Sequence, residues 1–132
     1  MLTNFSVPGD PIPCPRMTQR DKWQKRDCVV RYREWADACR LEATGSPLKR
    51  VEATVLGLVA FFHFRVPESL SKSGKEERYG RMHNQKPDTD NLLKGLSDAL
   101  LCDDKAVAVM QGFKSWCCEE EEPRTDVFLL VP

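Results

Sequence analysis

The sequence has no long apolar run, no surplus of either charge and little histidine. Its longest stretch without a charged residue in the apolar middle, Ala53–Phe64, is far short of the roughly 18 or more apolar residues that a membrane helix needs. Met1–Pro15 carries no basic-then-apolar leader, so neither a membrane association nor a secreted precursor is expected. No C-x-x-C pair occurs, and the 2 histidines, His63 and His83, stand far from the adjacent Cys117 and Cys118. Zinc therefore lacks its usual ligand spacing. Without a leader, the 6 cysteines read as free thiols behaving as small buried hydrophobes. Repeats, low-complexity tracts and interdomain linkers are also missing, which leaves one domain over residues 1–132.

What is present is the composition of an ordinary folded chain: 132 residues, 41% hydrophobic and 30% charged. At this size folding buries roughly 65–70% of the unfolded surface, enough for a core without staples. The balance of 20 Lys and Arg against 20 Asp and Glu hides a division. Residues 1–87 hold 16 basic and 10 acidic side chains, whereas residues 88–132 hold 4 and 10. The densest basic stretch, Arg16, Arg20, Lys22, Lys25, Arg26, Arg31 and Arg33, is interleaved with Trp23 and Tyr32. It reads either as a surface that tracks a phosphate backbone or as a solvated helix face.

The prolines at 11, 13 and 15 after Gly9 predict a short strand leading into an extended arm. A first helix is expected from a cap at Asp21 to about Ala43, stopped by Gly45 and Pro47. Its stripe Cys28, Val29, Tyr32, Trp35, Ala36, Cys39 and Ala43 places Tyr32 and Trp35 in the core. Val51–Val66, apolar on both alternations in its second half, predicts a central strand covered on both faces, with Gly57 marking a bulge. Glu68–Lys86 reads as a mobile basic loop carrying Lys72, Lys75, Arg78, Arg81 and Lys86. A second helix is expected from Asp88 or Asp90 to Leu101, then strands at about Ala106–Trp116 and Asp126–Val131 around an acidic turn at Glu119–Pro123. The order β-α-β-α-β-β predicts an α+β domain, a small mixed sheet with two helices packed on it.

The chemistry lies in Lys86–Asp104, KPDTDNLLKGLSDALLCDD, with five aspartates within 17 residues. Asp88 and Asp90 are two apart where the chain is expected to be extended, so their side chains share a direction. From Asp90, Lys94 is i+4 and Asp98 is i+8, on one helix face. Asp103 and Asp104 follow the helix, close enough in sequence to fold back on the same site. Hard oxygen ligands of this kind suit Mg²⁺ or Mn²⁺. A metal that polarises a phosphoryl oxygen and activates water addresses the main barrier to phosphodiester hydrolysis. Lys94 would add fixed positive charge. The purely structural alternative has Asp88 or Asp90 as a cap, Lys94 paired with Asp90 and Asp98, and Asp103–Asp104 as turn formers. A calcium loop of the EF-hand type fails, because Leu93 stands where its glycine must be and Ala99 where its glutamate must be.

K-P-D-x-D-N-L-x-K-x-x-x-D-A-L followed by D-D-x-x-V, Lys86–Val107, closely resembles the signature of RusA-type Holliday-junction resolvases, small endodeoxyribonucleases common in prophages. Gly9–Pro13 with Pro15-Arg16 is similar to that family's G-x-P-x-P and Pro-Arg arm, and Lys114 falls where the family often carries a strand lysine. The resemblance implies that Asp88, Asp90 and Asp104 bind catalytic Mg²⁺, with Mn²⁺ as a substitute, and that Lys94 stabilises charge. Asp103 is a weaker candidate. No small-molecule cofactor is implied. The chain departs from the pattern in its short connection Ala99–Cys102 between Asp98 and Asp103.

The implied activity is paired symmetric cutting of four-way DNA junctions by a homodimer in the cytoplasm of a bacterium or phage-infected cell. One chain offers one carboxylate cluster and two cuts need two, which agrees with a two-fold dimer. Arg16, Arg20, Lys22, Arg26, Lys72, Lys75 and Lys86 are the expected DNA contacts. A non-catalytic branched-DNA-binding dimer and a nuclease for other branches, such as flaps, remain as alternatives.

Overall fold

The opening strand β1, Leu2–Pro8, ends where Pro8 and Gly9 break it, and Gly9 takes φ 98°, a left-handed conformation. The computed structural model describes residues 1–16, 18–22 and 26–132. The arm after Gly9 is extended, as the alternating prolines require, and is tied back where the Cys14 amide donates to the Asn91 carbonyl at 3.4 Å.

Helix α1 spans Asp27–Thr44 and starts later than the predicted cap at Asp21. Asp21 instead sits buried in a 3-10 turn, Gln19–Lys22, where it accepts from the Thr18 amide at 2.6 Å and from Arg26 Nε at 2.8 Å. These bonds use its acceptor capacity locally, and Arg26 beside it holds the carboxyl well below the usual carboxylate range. The stop is as expected: Gly45, at φ 83°, returns its amide to the Leu41 carbonyl at 2.8 Å. Val29, Tyr32, Trp35, Ala36 and Cys39 are the buried stripe.

Strand β2 is Gly57–Phe64, shorter than the predicted Val51–Val66, and Gly57 opens it rather than bulging it. Residues before it are held by isolated hydrogen bonds, among them the Val51 amide on the Leu100 carbonyl and the Leu56 amide on the Leu130 carbonyl, both at 2.8 Å. Two further strands, β3 at Val109–Trp116 and β4 at Arg124–Leu130, complete a sheet ordered β1-β4-β2-β3. β2 and β3 run parallel and the other pairs antiparallel, so the sheet is mixed as expected. The segment between β2 and β3 is the crossover that parallel pairing demands.

That crossover holds two helices, so the helix count among the described residues is three and not two. The short α2, Lys72–Glu76, is capped by Ser71, whose hydroxyl accepts from the Gly74 amide at 3.2 Å. It interrupts the predicted mobile loop. The loop's second half is also fastened to the edge of β3, through Trp116 N to Arg81 O at 2.8 Å and His83 N to Lys114 O at 3.0 Å. The His83 ring is buried between Phe64 and Trp116, at centroid distances of 4.5 and 4.0 Å.

Helix α3, Thr89–Leu100, buries Leu92, Leu96, Ala99 and Leu100 against Leu58, Ala60 and Phe62 of β2 and Val127 of β4 in one core. Two glycines let it approach its neighbours. A Cβ on Gly112 of β3 would lie 2.7 Å from Thr89 Cγ2, and one on Gly95 would lie 3.0 Å from Tyr32 Cε1 and 3.2 Å from Cys14 Cβ. The Tyr32 hydroxyl donates to the Gly95 carbonyl at 2.7 Å, which satisfies its polar end inside the core.

The opposite sheet face is open, contrary to the expectation that β2 is covered on both sides. Phe61 stacks on Phe113 at 4.9 Å and meets Phe128 edge-on at 5.8 Å, yet Phe61 and Phe113 are 36% and 43% exposed. The apolar second alternation of β2 thus reflects an uncovered apolar face. Among the described residues all six cysteines are free thiols; Cys39 and Cys117 are buried, while Cys28, Cys102 and Cys118 are exposed, against the expectation of uniform burial. No described helix is long and apolar enough to cross a membrane.

Candidate active site

The start of α3 organises the carboxylates. Asp88 is its N-cap in extended backbone, and the helix begins one residue later at Thr89. Side chains two apart in a strand point the same way, but the helical turn at Thr89 rotates Asp90 away from Asp88. The two aspartates accordingly line different clefts. Asp90, Lys94 and Asp98, successive i+4 positions, line a cleft of about 380 Å³ together with Ser97, Met110 and Asp104. Asp88 lines a wider neighbour of about 690 Å³ with Lys86, Asn91, Arg31 and the arm residues Asp10–Pro15. The short connection after Asp98 therefore still brings Asp104 to Asp90. Among the described residues no three His, Cys, Asp or Glu side chains lie close enough together to hold one metal ion.

The structural alternative for this segment holds only in part: Asp88 stands at the N-cap and Asp103 forms a turn, but the ion pairs of Lys94 are missing among the described residues. The Asp88 side chain makes no cap hydrogen bond. Among the described residues Lys94 forms no ion pair with Asp90 or Asp98. Among the described residues Asp90 accepts only from the neighbouring Asn91 amide, at 3.0 Å on Oδ1. Asp103 is a turn former, accepting the Lys105 amide at 3.0 Å. Asp90, Asp98 and Asp104 thus present carboxylates in one exposed cleft with their charges unmatched by a described salt bridge. A donor set of hard oxygens with room for water fits Mg²⁺, which is commonly held by one or two carboxylates and completed by water and substrate phosphate.

Lys114 secures the approach to this site. Its Nζ donates to the carbonyls of Gln85 at 2.5 Å and Pro87 at 2.7 Å, fixing the residues just before Asp88 onto β3. The Lys86–Pro87 peptide there is cis.

The expected DNA contacts scatter. Arg16, Arg20 and Lys72 are exposed, and Lys86 lines the wider cleft. The Lys22 side chain lies outside the described residues, as do Trp23 and Lys25 of the basic run. Arg26 forks onto Asp21, with Nη2 also reaching the Arg16 carbonyl at 2.9 Å, so its charge is matched within the protein. Lys75 shares a hollow with Glu119–Glu122. Arg31 and Arg78 gain positions their sequence neighbours do not reveal: Arg31 lines the wider cleft, and Arg78 lies 5.9 Å over the Trp116 ring. The basic run named Arg31, but only tertiary packing brings it beside Asp88.

The family model described as Endodeoxyribonuclease RusA matches residues 8–129. The chain belongs to the RusA family. The matched region runs from the last residue of β1 into β4, so both clefts and every expected site residue lie inside the RusA domain. RusA proteins are endodeoxyribonucleases, enzymes that hydrolyse phosphodiester bonds in DNA. No curated protein matches the sequence.

Proposed function

We propose that this RusA-family chain is a Mg²⁺-dependent homodimeric endonuclease that resolves four-way DNA junctions by paired cuts. The observation that carries the reading is the single cleft shared by Asp90, Lys94 and Asp104, in which Lys94 has no described carboxylate partner within ion-pair reach. Asp90 and Asp104 would hold the ion, with Asp88, in the adjoining cleft, adding its charge from outside the ligand set. Bound there, Mg²⁺ or Mn²⁺ supplies Lewis acidity toward the phosphoryl oxygen and lowers the pKa of water. The Lys94 ammonium offsets negative charge as it grows on the phosphate. Lys114 keeps Asp88 in place through Gln85 and Pro87. Lys86, Arg31, Arg16, Arg20 and Lys72 attract the backbone on either side, which draws a polyanion to an otherwise acidic site.

The dimer reading is supported by the open sheet face. Phe61, Phe113, Val109 and Leu130 are 36%, 43%, 48% and 45% exposed, an apolar patch of the sort that marks an interaction surface. It lies on the face of the sheet away from α1 and α3, so two copies meeting there leave both acidic clefts open. A synthetic mobile four-way junction incubated with Mg²⁺ or with chelator tests the function. Symmetric paired nicks with Mg²⁺ alone are expected, and binding without cutting in both conditions overturns the reading in favour of a non-catalytic binder. Phe61→Glu is expected to give monomers in sedimentation and unpaired, slower nicks.

A further inference from the structure

The wider cleft meets the chemistry just described through Asp88 and shares Arg31 and Lys86 with the proposed DNA path, but its shape is used by neither. Its walls are apolar, from Ile12, Pro13, Cys28 and Phe64, and its polar groups are two cations, Arg31 and Lys86, two carboxylates, Asp10 and Asp88, and the Asn91 amide. The arm forming one wall is fixed in place, not merely near: Gly9 N donates to the Pro123 carbonyl at 3.0 Å, Cys14 N to the Asn91 carbonyl at 3.4 Å, and the missing Cβ of Gly95 admits Cys14. About 690 Å³ falls within the roughly 300–1,000 Å³ typical of small-ligand sites. It is unlike a duplex groove contact, which needs only a convex charged surface. Apolar walls suit the faces of an aromatic base, the cations suit phosphates, and a carboxamide pairs with a base edge.

We propose that this cleft receives one unstacked nucleotide of the DNA substrate beside the cut phosphate, Arg31 and Lys86 taking its phosphates and Asn91 reading the base edge. The inference rests on the nuclease reading for the position of the cut, and it adds a base preference that the acidic cleft cannot supply. A branch point, where the continuous stacking of a duplex is interrupted, lowers the cost of unstacking.

The test walks 2-aminopurine along the strands at the branch of a four-way junction, in chelator so that nothing is cut. Wild type is expected to brighten it at one position on binding. Cys28→Trp, which fills the cleft from an exposed position on α1, should abolish the rise at a protein concentration that saturates the junction. With Mg²⁺, varying that nucleotide should spread wild-type cutting rates roughly tenfold, the scale of one base-edge contact, and Asn91→Ala should flatten the spread. No brightening at any position, or brightening and preference unchanged in both variants, overturns the proposal. Brightening that Cys28→Trp abolishes, in a protein that cuts no junction, supports the cleft and removes the nuclease reading instead.

Discussion

The two clefts flanking the start of α3 differ in what their walls satisfy on their own. In the narrower one three carboxylates and one ammonium stand together without described ion pairs, an arrangement that gains by taking a cation and then an anionic substrate. In the wider one apolar walls and an arm tied by backbone hydrogen bonds make a shape, and Arg31 and Lys86 are balanced by Asp10 and Asp88. Chemistry and recognition are thus assigned to opposite sides of one helix cap, and substitutions should separate them.

The largest separation is expected from Asp90→Asn, which should lower the cutting rate by at least about a hundredfold while leaving junction binding in chelator near wild type. A nicking assay showing wild-type activity removes Asp90 from the mechanism. Lys94→Met should follow, with kcat down roughly ten- to a hundredfold and KM little changed, because its charge matters most when negative charge develops. Lys114→Met should affect both clefts, since it frees the residues that join them. A fall in kcat of about tenfold is expected, together with a changed base preference. Lys114→Arg, which can still donate to both carbonyls, should recover most of it, and a variant that loses only thermal stability would reduce Lys114 to a structural part.

How legible this was varies by element. The α3 boundaries, the stop of α1 at Gly45 and the cores of β3 and β4 follow from periodicity and caps, which act over a few residues. The start of α1 did not, because Asp21 serves a buried turn with Thr18 and Arg26 that competes with capping. The open face of β2 was read as covered because apolar alternation reports composition and not what packs against it. Asp90, Lys94 and Asp98 were placed on one face by spacing alone. The divergence of Asp88 from Asp90 depended on a helix boundary one residue from where the extended reading put it, and Arg31 depended on tertiary packing.

The smallest effect concerns His83, whose segment leads into the site. Burial between Phe64 and Trp116, aided by the Lys114 charge, lowers its pKa below the ordinary value. The unfolded chain then binds the proton more readily, so stability is lost as pH falls below about 6.5 and continues to fall toward the folded value. Melting temperature should decline between about pH 7.5 and about pH 5.5 more in wild type than in His83→Phe. Equal slopes would remove His83 as a cause.

The central claim is that Asp90 and Asp104, from the helix and from the connection after it, hold one divalent cation. Titration of the DNA-free protein with Mn²⁺, followed by electron paramagnetic resonance, measures this directly in wild type and in the Asp88→Asn, Asp90→Asn, Asp98→Asn and Asp104→Asn variants. The account predicts one site per chain that is lost or severely weakened in Asp90→Asn and Asp104→Asn, weakened in Asp88→Asn and retained in Asp98→Asn. Binding that survives unchanged in Asp104→Asn would contradict it.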